Sequence, residues 1–154
     1  MKEKTVITYG TFDLFHVGHV RLLKRARELG DRLIVGVSTD AFNTAKGKRT
    51  IIPFEQRAEI VQSVRYVDMV IPEESWEQKI DDIRKYGVDV LVMGDDWKGK
   101  FDDLQAYCQV VYLPRTQDIS SSQLKNSLKN LLQISPAKLR EAIDVLEQIL
   151  NDLE

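Results

Sequence analysis

Two histidines near the N-terminus carry the clearest chemical signal in the sequence. His16 and His19 lie three positions apart in the segment Gly10–His19, G-T-F-D-L-F-H-V-G-H, which follows a short apolar run and opens a helical pattern. A helix N-terminus offers free N–H groups and a positive partial charge, and both favour a bound phosphate. Two imidazoles on one side of such a helix can donate to phosphate oxygens and stabilise charge that develops during transfer of a phosphoryl or nucleotidyl group.

The same two histidines allow two other interpretations. They are the only histidines in the sequence, so a zinc site would need a carboxylate to complete it. They could also be a structural pair with no ligand. The flanking glycines, Gly10 and Gly18, permit close approach of the backbone to a ligand, and we therefore favour the phosphate site.

A second segment rich in hydroxyl groups lies between a predicted strand and a predicted helix. It runs from Arg115 to Ser122 with the sequence R-T-Q-D-I-S-S-S. Hydroxyls and an arginine at a helix start suit a polyphosphate. A serine-rich helix cap without a ligand would have the same composition.

Two further segments place charged residues in predicted connections. Lys46–Arg49, K-G-K-R, follows Asp40 in a long predicted loop. It is either a solvated basic loop or a flexible lid that brings positive charge between two anionic substrates. Met93–Asp102, M-G-D-D-W-K-G-K-F-D, follows an apolar run. Its acidic residues suit ribose hydroxyls or Mg²⁺, or they cap a helix.

The elements that must position these segments alternate along the chain. Short apolar runs predict buried strands; they are Val6–Tyr9, Leu33–Val37, Asp68–Ile71, Val88–Met93 and Val110–Leu113. Helical patterns occupy the intervals between and after them; they are Gly18–Leu29, Pro53–Val64, Ser75–Tyr86 and Ser120–Leu132. The alternation predicts an α/β fold with a Rossmann-like, open, parallel five-stranded sheet flanked by helices.

The pattern changes near the C-terminus, where Ser135 and Pro136 begin another helix. Its apolar residues repeat at intervals of four and three, which is a heptad pattern; they are Leu139, Ile143, Leu146, Leu150 and Leu153. We expect a nucleotide-binding domain over residues 1–131 and an added helical extension over 132–154. This helix either docks on its own domain or packs against a partner subunit.

Composition limits the classes of partner. The 154 residues carry a net charge of −2, which argues against nucleic acid and against an anionic membrane surface. The single cysteine, Cys108, cannot form an internal disulfide, and no apolar run has the length of a signal peptide or a membrane span. We expect a cytoplasmic protein with no membrane insertion.

Two of these segments resemble a known family. The residues T-F-D at 11–13 and H-V-G-H at 16–19 resemble the signature of the cytidylyltransferase-like nucleotidyltransferases. The run G-D-D-W-K-G-K-F-D resembles the glycerol-3-phosphate cytidylyltransferase branch, and the resemblance spans about residues 4–130. It implies transfer of CMP from CTP to sn-glycerol 3-phosphate by direct attack of the acceptor phosphate, with Mg²⁺, in a homodimer. The product, CDP-glycerol, is a precursor of teichoic acids.

The resemblance also assigns roles to residues. Those implied to act in catalysis are His16, His19, Lys46 and Arg115. Those implied to bind the nucleotide are Gly10, Thr11, Phe12, His16, His19, Asp96, Arg115, Thr116, Ser120 and Ser121. Those implied to bind the acceptor are Asp40, Lys46, Lys48, Arg57 and Arg65. Arg57 and Arg65 are alternatively subunit-interface residues, or surface or ion-paired arginines. No metal site built from protein side chains is expected.

Two rival functions remain open. One is the same chemistry with another pair of substrates, such as ATP and a cofactor precursor. The other is a nucleotide sensor without catalysis, whose C-terminal heptads form a partner surface.

Overall fold

Five parallel strands form the centre of the protein in a computed structural model that describes residues 2–133 and 135–153. The strands are β1 (Thr5–Gly10), β2 (Arg32–Ser38), β3 (Met69–Glu73), β4 (Val90–Gly94) and β5 (Gln109–Leu113). Their order in the sheet is β3-β2-β1-β4-β5, and every neighbouring pair is parallel. The predicted Rossmann-like sheet is therefore confirmed, and each strand lies close to its predicted position.

Helices follow the strands. They are α1 (Val17–Arg27), α2 (Asp40–Ala45), α3 (Phe54–Gln62), α4 (Gln78–Tyr86), α5 (Ser121–Leu132) and α6 (Pro136–Leu153). Short 3-10 turns cover Asp95–Trp97 and Asp102–Ala106. The helix α2 replaces part of the long loop that the sequence predicts. Its six residues are too few to show a helical period, and it is fixed locally because the Thr39 side chain accepts the N–H of Phe42.

The core has one layer on each face of the sheet, because alternate residues of a strand point to opposite faces. Val6 and Val35 belong to the layer that also contains Leu23 of α1 and Val61 of α3. The other layer contains Ile83 of α4. Both faces are thus covered by helices, which explains why the strands read as continuous apolar runs.

The order of the strands determines where a ligand can bind. The chain moves from β1 outward through β2 to β3, and then returns to place β4 on the other side of β1. Such a reversal opens a crevice beyond the carboxyl ends of the two central strands. Gly10 ends β1 and Gly94 ends β4, so the segments that follow these glycines border the crevice.

The chain divides into two compact units, Met1–Ser121 and Ser122–Glu154. The division falls in the first turn of α5, whereas the sequence placed the boundary at the end of that helix. In the second unit, α6 is an unbroken helix of 18 residues, as the heptad pattern predicts. None of the described helices is long and apolar enough to cross a membrane.

Candidate active site

The first turn of α1 is held by the two histidines themselves. His16 is the N-cap residue, and its Nδ1 accepts the backbone N–H of Gly18 at 3.0 Å. His19 reaches back, and its Nδ1 accepts the backbone N–H of His16 at 3.1 Å. This is a capping box, a motif usually built from Ser or Thr and Glu or Gln. Here imidazoles satisfy the free N–H groups at the start of the helix.

The caps fix the tautomer of both neutral rings. A ring nitrogen that accepts a hydrogen bond carries no proton, so each neutral imidazole keeps its proton on Nε2 as a donor. Burial, together with the neighbouring His16, lowers the pKa of His19 to about 3, although the charge of Asp13 acts in the opposite direction. Burial also lowers the pKa of His16. The rings stack with centroids 3.9 Å apart, so the site presents two neutral N–H donors close together.

The glycine between the histidines makes this packing possible. A Cβ atom on Gly18 would lie 2.7 Å from Cε1 and 2.9 Å from Nδ1 of His16. A side chain at this position would therefore displace the imidazole. The preceding loop is also unusual, since Phe12 and Leu14 have positive φ angles of 54° and 47°. Non-glycine residues in this region are uncommon and cluster at functional sites.

Asp13 joins the β1–α1 loop to the segment before α3. Its carboxylate accepts the backbone N–H groups of Ile51 and Ile52 at 2.8 and 2.9 Å, and the residue is almost fully buried. Because the loop that follows Lys46–Arg49 ends at these two residues, Asp13 fixes one end of that loop beside the histidine segment.

Arg57 differs from its predicted role. Its side chain is completely buried, and its guanidinium donates to the carbonyls of Thr11, Ser38 and Ile52 at 2.7–2.8 Å. It also pairs with Asp40 at 2.7 Å. Arg57 therefore joins the ends of two strands to the loop before α3. We correct the predicted acceptor contact: Arg57 positions the walls of the site.

Asp40 belongs to the same hydrogen-bond network as Arg57. One carboxylate oxygen accepts from Arg57 and from the Thr50 hydroxyl, and the other accepts the backbone N–H of Phe54 at 3.0 Å. These bonds, that to Phe54 first, hold the pKa of Asp40 below its usual value. The carboxylate remains about half exposed. These hydrogen bonds therefore hold an oriented, partly exposed carboxylate at this position.

A group of positively charged side chains lies around Lys46, directly after α2. The Lys46 ammonium lies 4.1 Å from the ring centroid of Phe42 and 5.3 Å from that of Trp76. Burial lowers its pKa to about 8, and the charges of Lys48, Lys79 and Arg57 act in the same direction against that of Glu73. A group of like charges held together in this way attracts an anion, which would relieve the repulsion.

Lys79 and Trp76 were not predicted from the sequence as site residues. Lys79 is buried, pairs with Glu73 at 2.6 Å, and lies 4.9 Å from the centroid of Trp76. The sequence could have indicated that Lys79 is buried, because it lies four residues before Ile83 and so on the buried face of α4. A lysine on a buried helix face needs a partner, and here the partner ends β3.

A recess of about 380 Å³ opens beside Lys79. Its walls include Trp76, Trp97 and Phe101, whose rings contact one another with centroids 5.4–6.3 Å apart. Lys48 lies 5.8 Å from the Trp97 ring, so the basic segment after α2 approaches this recess. The recess offers a small ligand aromatic surface with ammonium groups at its edge.

The remaining residues that are predicted to bind the nucleotide lie beyond the ends of β4 and β5. Arg115 pairs with Asp96 at 2.6 Å. A Cβ on Gly94 would lie 2.6 Å from a carboxylate oxygen of Asp96, so a side chain at this position would displace that carboxylate. Thr116 and Ser120 lie in the same β5–α5 connection.

The end of that connection joins the histidine loop. The Ser121 hydroxyl donates to the carbonyl of Asp13 at 2.6 Å. The structure therefore brings the two predicted phosphate-binding segments together.

Arg65 lies elsewhere. It is exposed, in the connection between α3 and β3. The backbone N–H of Asp68, at the end of this connection, donates to the carbonyl of Leu33 near the start of β2. Arg65 is therefore at the amino end of the sheet, opposite the crevice, and the prediction that it joins the acceptor site of its own chain is wrong. Its alternative role at a subunit interface stays a prediction.

Three features together define a nucleotidyltransferase. They are the parallel 3-2-1-4-5 sheet, the pair of imidazole donors at a helix N-terminus and the group of lysines after α2. Residues 7–141 match the sequence model of the family described as cytidylyltransferase-like, and the chain belongs to that family.

Similar proteins agree with this assignment. The chain is 57% identical to glycerol-3-phosphate cytidylyltransferase of Bacillus spizizenii over 128 residues, which cover 83% of this chain and 99% of that protein. It is 56% identical to the Staphylococcus aureus protein of the same name over 81% of this chain and 95% of that protein. A lipopolysaccharide core biosynthesis protein from Thermoplasma volcanium has the same fold, with a TM-score of 0.66 at 24% identity over 75% of this chain and 100% of that chain.

Proposed function

We propose that this chain is a glycerol-3-phosphate cytidylyltransferase, which converts CTP and sn-glycerol 3-phosphate to CDP-glycerol and pyrophosphate. The observation that carries the choice of substrates is the 57% identity to the Bacillus spizizenii enzyme over nearly its whole length. The product would serve teichoic acid synthesis. We place the reaction in the cytoplasm, in agreement with the lone, partly buried cysteine. We also propose that the enzyme is a homodimer.

The chemistry needs no general base. A phosphate monoester is already an anion near neutral pH, so its oxygen can attack the α-phosphorus of CTP in line while pyrophosphate leaves. Histidines whose pKa is lowered by burial are weak bases at pH 7. We therefore assign His16 and His19 as Nε2–H donors to oxygens of the triphosphate, where negative charge increases in the transition state.

The main barrier to bringing the substrates together is the repulsion of two anions. Lys46, Lys48 and Lys79 form the group of positive charges that would offset it. We propose that Lys46 bridges the donor and acceptor phosphates, that Lys48 assists it, and that the recess beside Trp76 holds the acceptor.

We propose that the nucleotide binds residues that follow β1, β4 and β5. Arg115 and Asp96, paired with each other and partly exposed, lie where the triphosphate and the ribose would reach the ends of β4 and β5. Thr11, Thr116, Ser120 and Ser121 supply hydroxyls, and the backbone at Gly10 and Phe12 borders the crevice.

Mg²⁺ would enter with the triphosphate. Among residues 2–133 and 135–153, no group of three or more His, Cys, Asp or Glu side chains could hold a metal ion. Mg²⁺ commonly uses substrate phosphates, water and only one or two carboxylates, and Asp96 is a candidate for such a carboxylate. The ion would neutralise charge on the leaving pyrophosphate.

A substrate matrix tests the proposal. The purified protein is mixed with Mg²⁺, with either CTP or ATP, and with a panel of phosphorylated alcohols, and both pyrophosphate and the nucleotide product are measured. We expect CDP-glycerol from CTP and glycerol 3-phosphate. Adenylyl transfer, or turnover with another acceptor, would overturn the substrate assignment; CTP binding without turnover would support the sensor.

Two variants test the proposed site. Lys46→Met removes the bridging charge, and we expect turnover to fall by about 10²–10³ because a stabilising group of the transition state is lost. Lys24→Met, at an exposed position of α1, is the matched control and should retain activity. Equal activities of the two variants would contradict the role of Lys46.

A further inference from the structure

The helix α6 exposes a continuous apolar face. Every residue from Pro136 to Leu153 is exposed, and the five side chains of the heptad pattern leave 46–80% of their surface in solvent. Those side chains are Leu139, Ile143, Leu146, Leu150 and Leu153. Soluble proteins rarely leave an apolar stripe of this length in water, and such stripes mark interaction surfaces.

The stripe has the geometry of a paired helix. Intervals of four and three place Ile143 and Leu150 at a positions and the three other leucines at d positions. These positions lie on one side of a single helix of 18 residues, so one partner helix could cover all of them.

We propose that α6 pairs with α6 of a second copy of this chain, in the antiparallel direction. In this arrangement an a residue lies opposite a d residue of the partner. Ile143 then faces the partner's Leu146, and Leu150 faces the partner's Leu139. The two-fold axis generates each of these two contacts a second time. Both helices use the same surface, so the assembly stops at two copies.

Charge selects this direction over the parallel one. Arg140 and Glu147 both occupy e positions, and e positions face each other in an antiparallel pair. With the apolar layers aligned as above, Arg140 lies opposite the partner's Glu147, and symmetry makes this pair twice. In a parallel pair, Glu147 would instead face the partner's Ala142 at a g position and gain no opposite charge. Neither Arg140 nor Glu147 forms an ion pair within the part of the chain that the structure describes.

The polar face argues against a membrane as the occupant. The helix carries two basic residues, Lys138 and Arg140, and four acidic ones, Glu141, Asp144, Glu147 and Asp152. Helices that bind anionic lipid surfaces are usually rich in Lys and Arg on the polar face. A second copy of the helix offers both the apolar surface and the opposite charges that this face requires.

Charge exchange in the full chain tests the proposal. Arg140→Glu and Glu147→Arg each place like charges opposite one another twice in the dimer, and the double variant restores opposite charges. We expect each single variant to raise the dimer dissociation constant roughly tenfold in low salt, and the double variant to return it close to the original value. The dissociation constant is measured by sedimentation velocity with fluorescently labelled protein. The single variants would still raise this constant if another surface also contributed to the dimer.

Two outcomes would overturn the proposal. One is a dissociation constant that does not change in the single variants. The other is a double variant as weak as the singles. Leu146→Asp gives a second measurement, and we expect it to weaken the dimer more than either charge change. If it lowers the melting temperature of a protein that stays monomeric throughout, the face docks on its own chain and the proposal fails.

Discussion

The Nδ1 atom of His19 accepts the backbone N–H of His16, while the Nδ1 atom of His16 accepts the N–H of Gly18. The residues proposed to bind phosphate are therefore also the residues that begin α1. Each imidazole uses Nδ1 to cap the helix, and its Nε2–H is the group that we propose as a donor to the triphosphate. Substitutions can separate helix capping from donation to a ligand, because a side chain can replace the Nδ1 acceptor without replacing the Nε2–H donor.

His16→Asn should keep the cap and lose the donor. The asparagine oxygen can accept the N–H that Nδ1 accepts now, but the shorter side chain has no counterpart of Nε2–H. We expect turnover to fall by about 10²–10³ with little change in melting temperature. His16→Ala should lose a similar amount of turnover and, in addition, about 1 kcal/mol of stability. Activity near the original level in the asparagine variant would contradict the donor role.

Gly18→Ala should reduce activity through the His16 ring. Alanine favours a helix by about 1 kcal/mol over glycine, so the change would be expected to stabilise α1 if nothing else moved. A Cβ would, however, meet the ring at 2.7 Å and displace it. We expect lower turnover in a folded protein, measured beside Val17→Ala, an exposed position in the same turn. Equal turnover in the two variants would show that the ring is not displaced.

The stability of the protein should decrease on mild acidification because of His19. Its folded-state pKa is about 3 against 6.5 for the free side chain, so between these values the unfolded chain binds a proton that the folded chain does not. Stability therefore rises with pH across this interval and is lost as the pH falls below 6.5. From about pH 7 to about pH 5 we expect a loss of about 1–2 kcal/mol. Denaturant unfolding of His19→Asn should show a smaller pH dependence; the same slope as in the original protein would count against the assignment.

The pH dependence of kcat/KM should show the titration of Lys46. This parameter reports ionisations of the free enzyme, in which the pKa of Lys46 is lowered to about 8. We expect kcat/KM to fall above about pH 8 as the ammonium loses its proton. Lys46→Arg should remove this decline, because a guanidinium stays charged, although its shape lowers the maximum rate. A decline that remains unchanged in the arginine variant would belong to another group.

Arg57 and Arg65 should respond differently to the same change. Arg57→Ala leaves three carbonyls and Asp40 without their buried partner, and we expect a loss of about 3 kcal/mol or more. Arg65→Ala, at an exposed position, should change stability by less than about 0.5 kcal/mol. Thermal and denaturant unfolding of both variants checks this contrast. Similar losses would mean that Arg65 has a structural role that its exposure does not suggest.

Much of the fold could be predicted from the sequence because the sheet is covered on both faces. A central strand such as Val90–Gly94 is then an apolar run with clear ends. The helix α2 could not be predicted in this way, since its start depends on one cap and its length gives no period. The histidine segment could be located because its residue types and spacing are rare, but the capping role of its Nδ1 atoms requires coordinates.

The two arginines show the limits of residue type as evidence. Arginine binds phosphate and also satisfies buried carbonyls, and only burial distinguishes the roles of Arg57. The position of Arg65 was accessible from the sequence, because it precedes a strand of a parallel sheet and so must lie at the amino end. Lys79 was accessible in the same way from its spacing to Ile83.

The imidazole capping box also limits how this enzyme could be made more thermostable. Helix caps are among the first places an engineer improves, usually by introducing Ser, Thr or Asp at the first position and Glu three residues later. At positions 16 and 19 such a replacement would strengthen α1 and remove both donors at once. If the proposed donor role holds, a screen for stability alone would therefore select inactive proteins at these positions. Stabilising changes should be sought in other helices, such as α4, whose N-cap side chain makes no capping hydrogen bond.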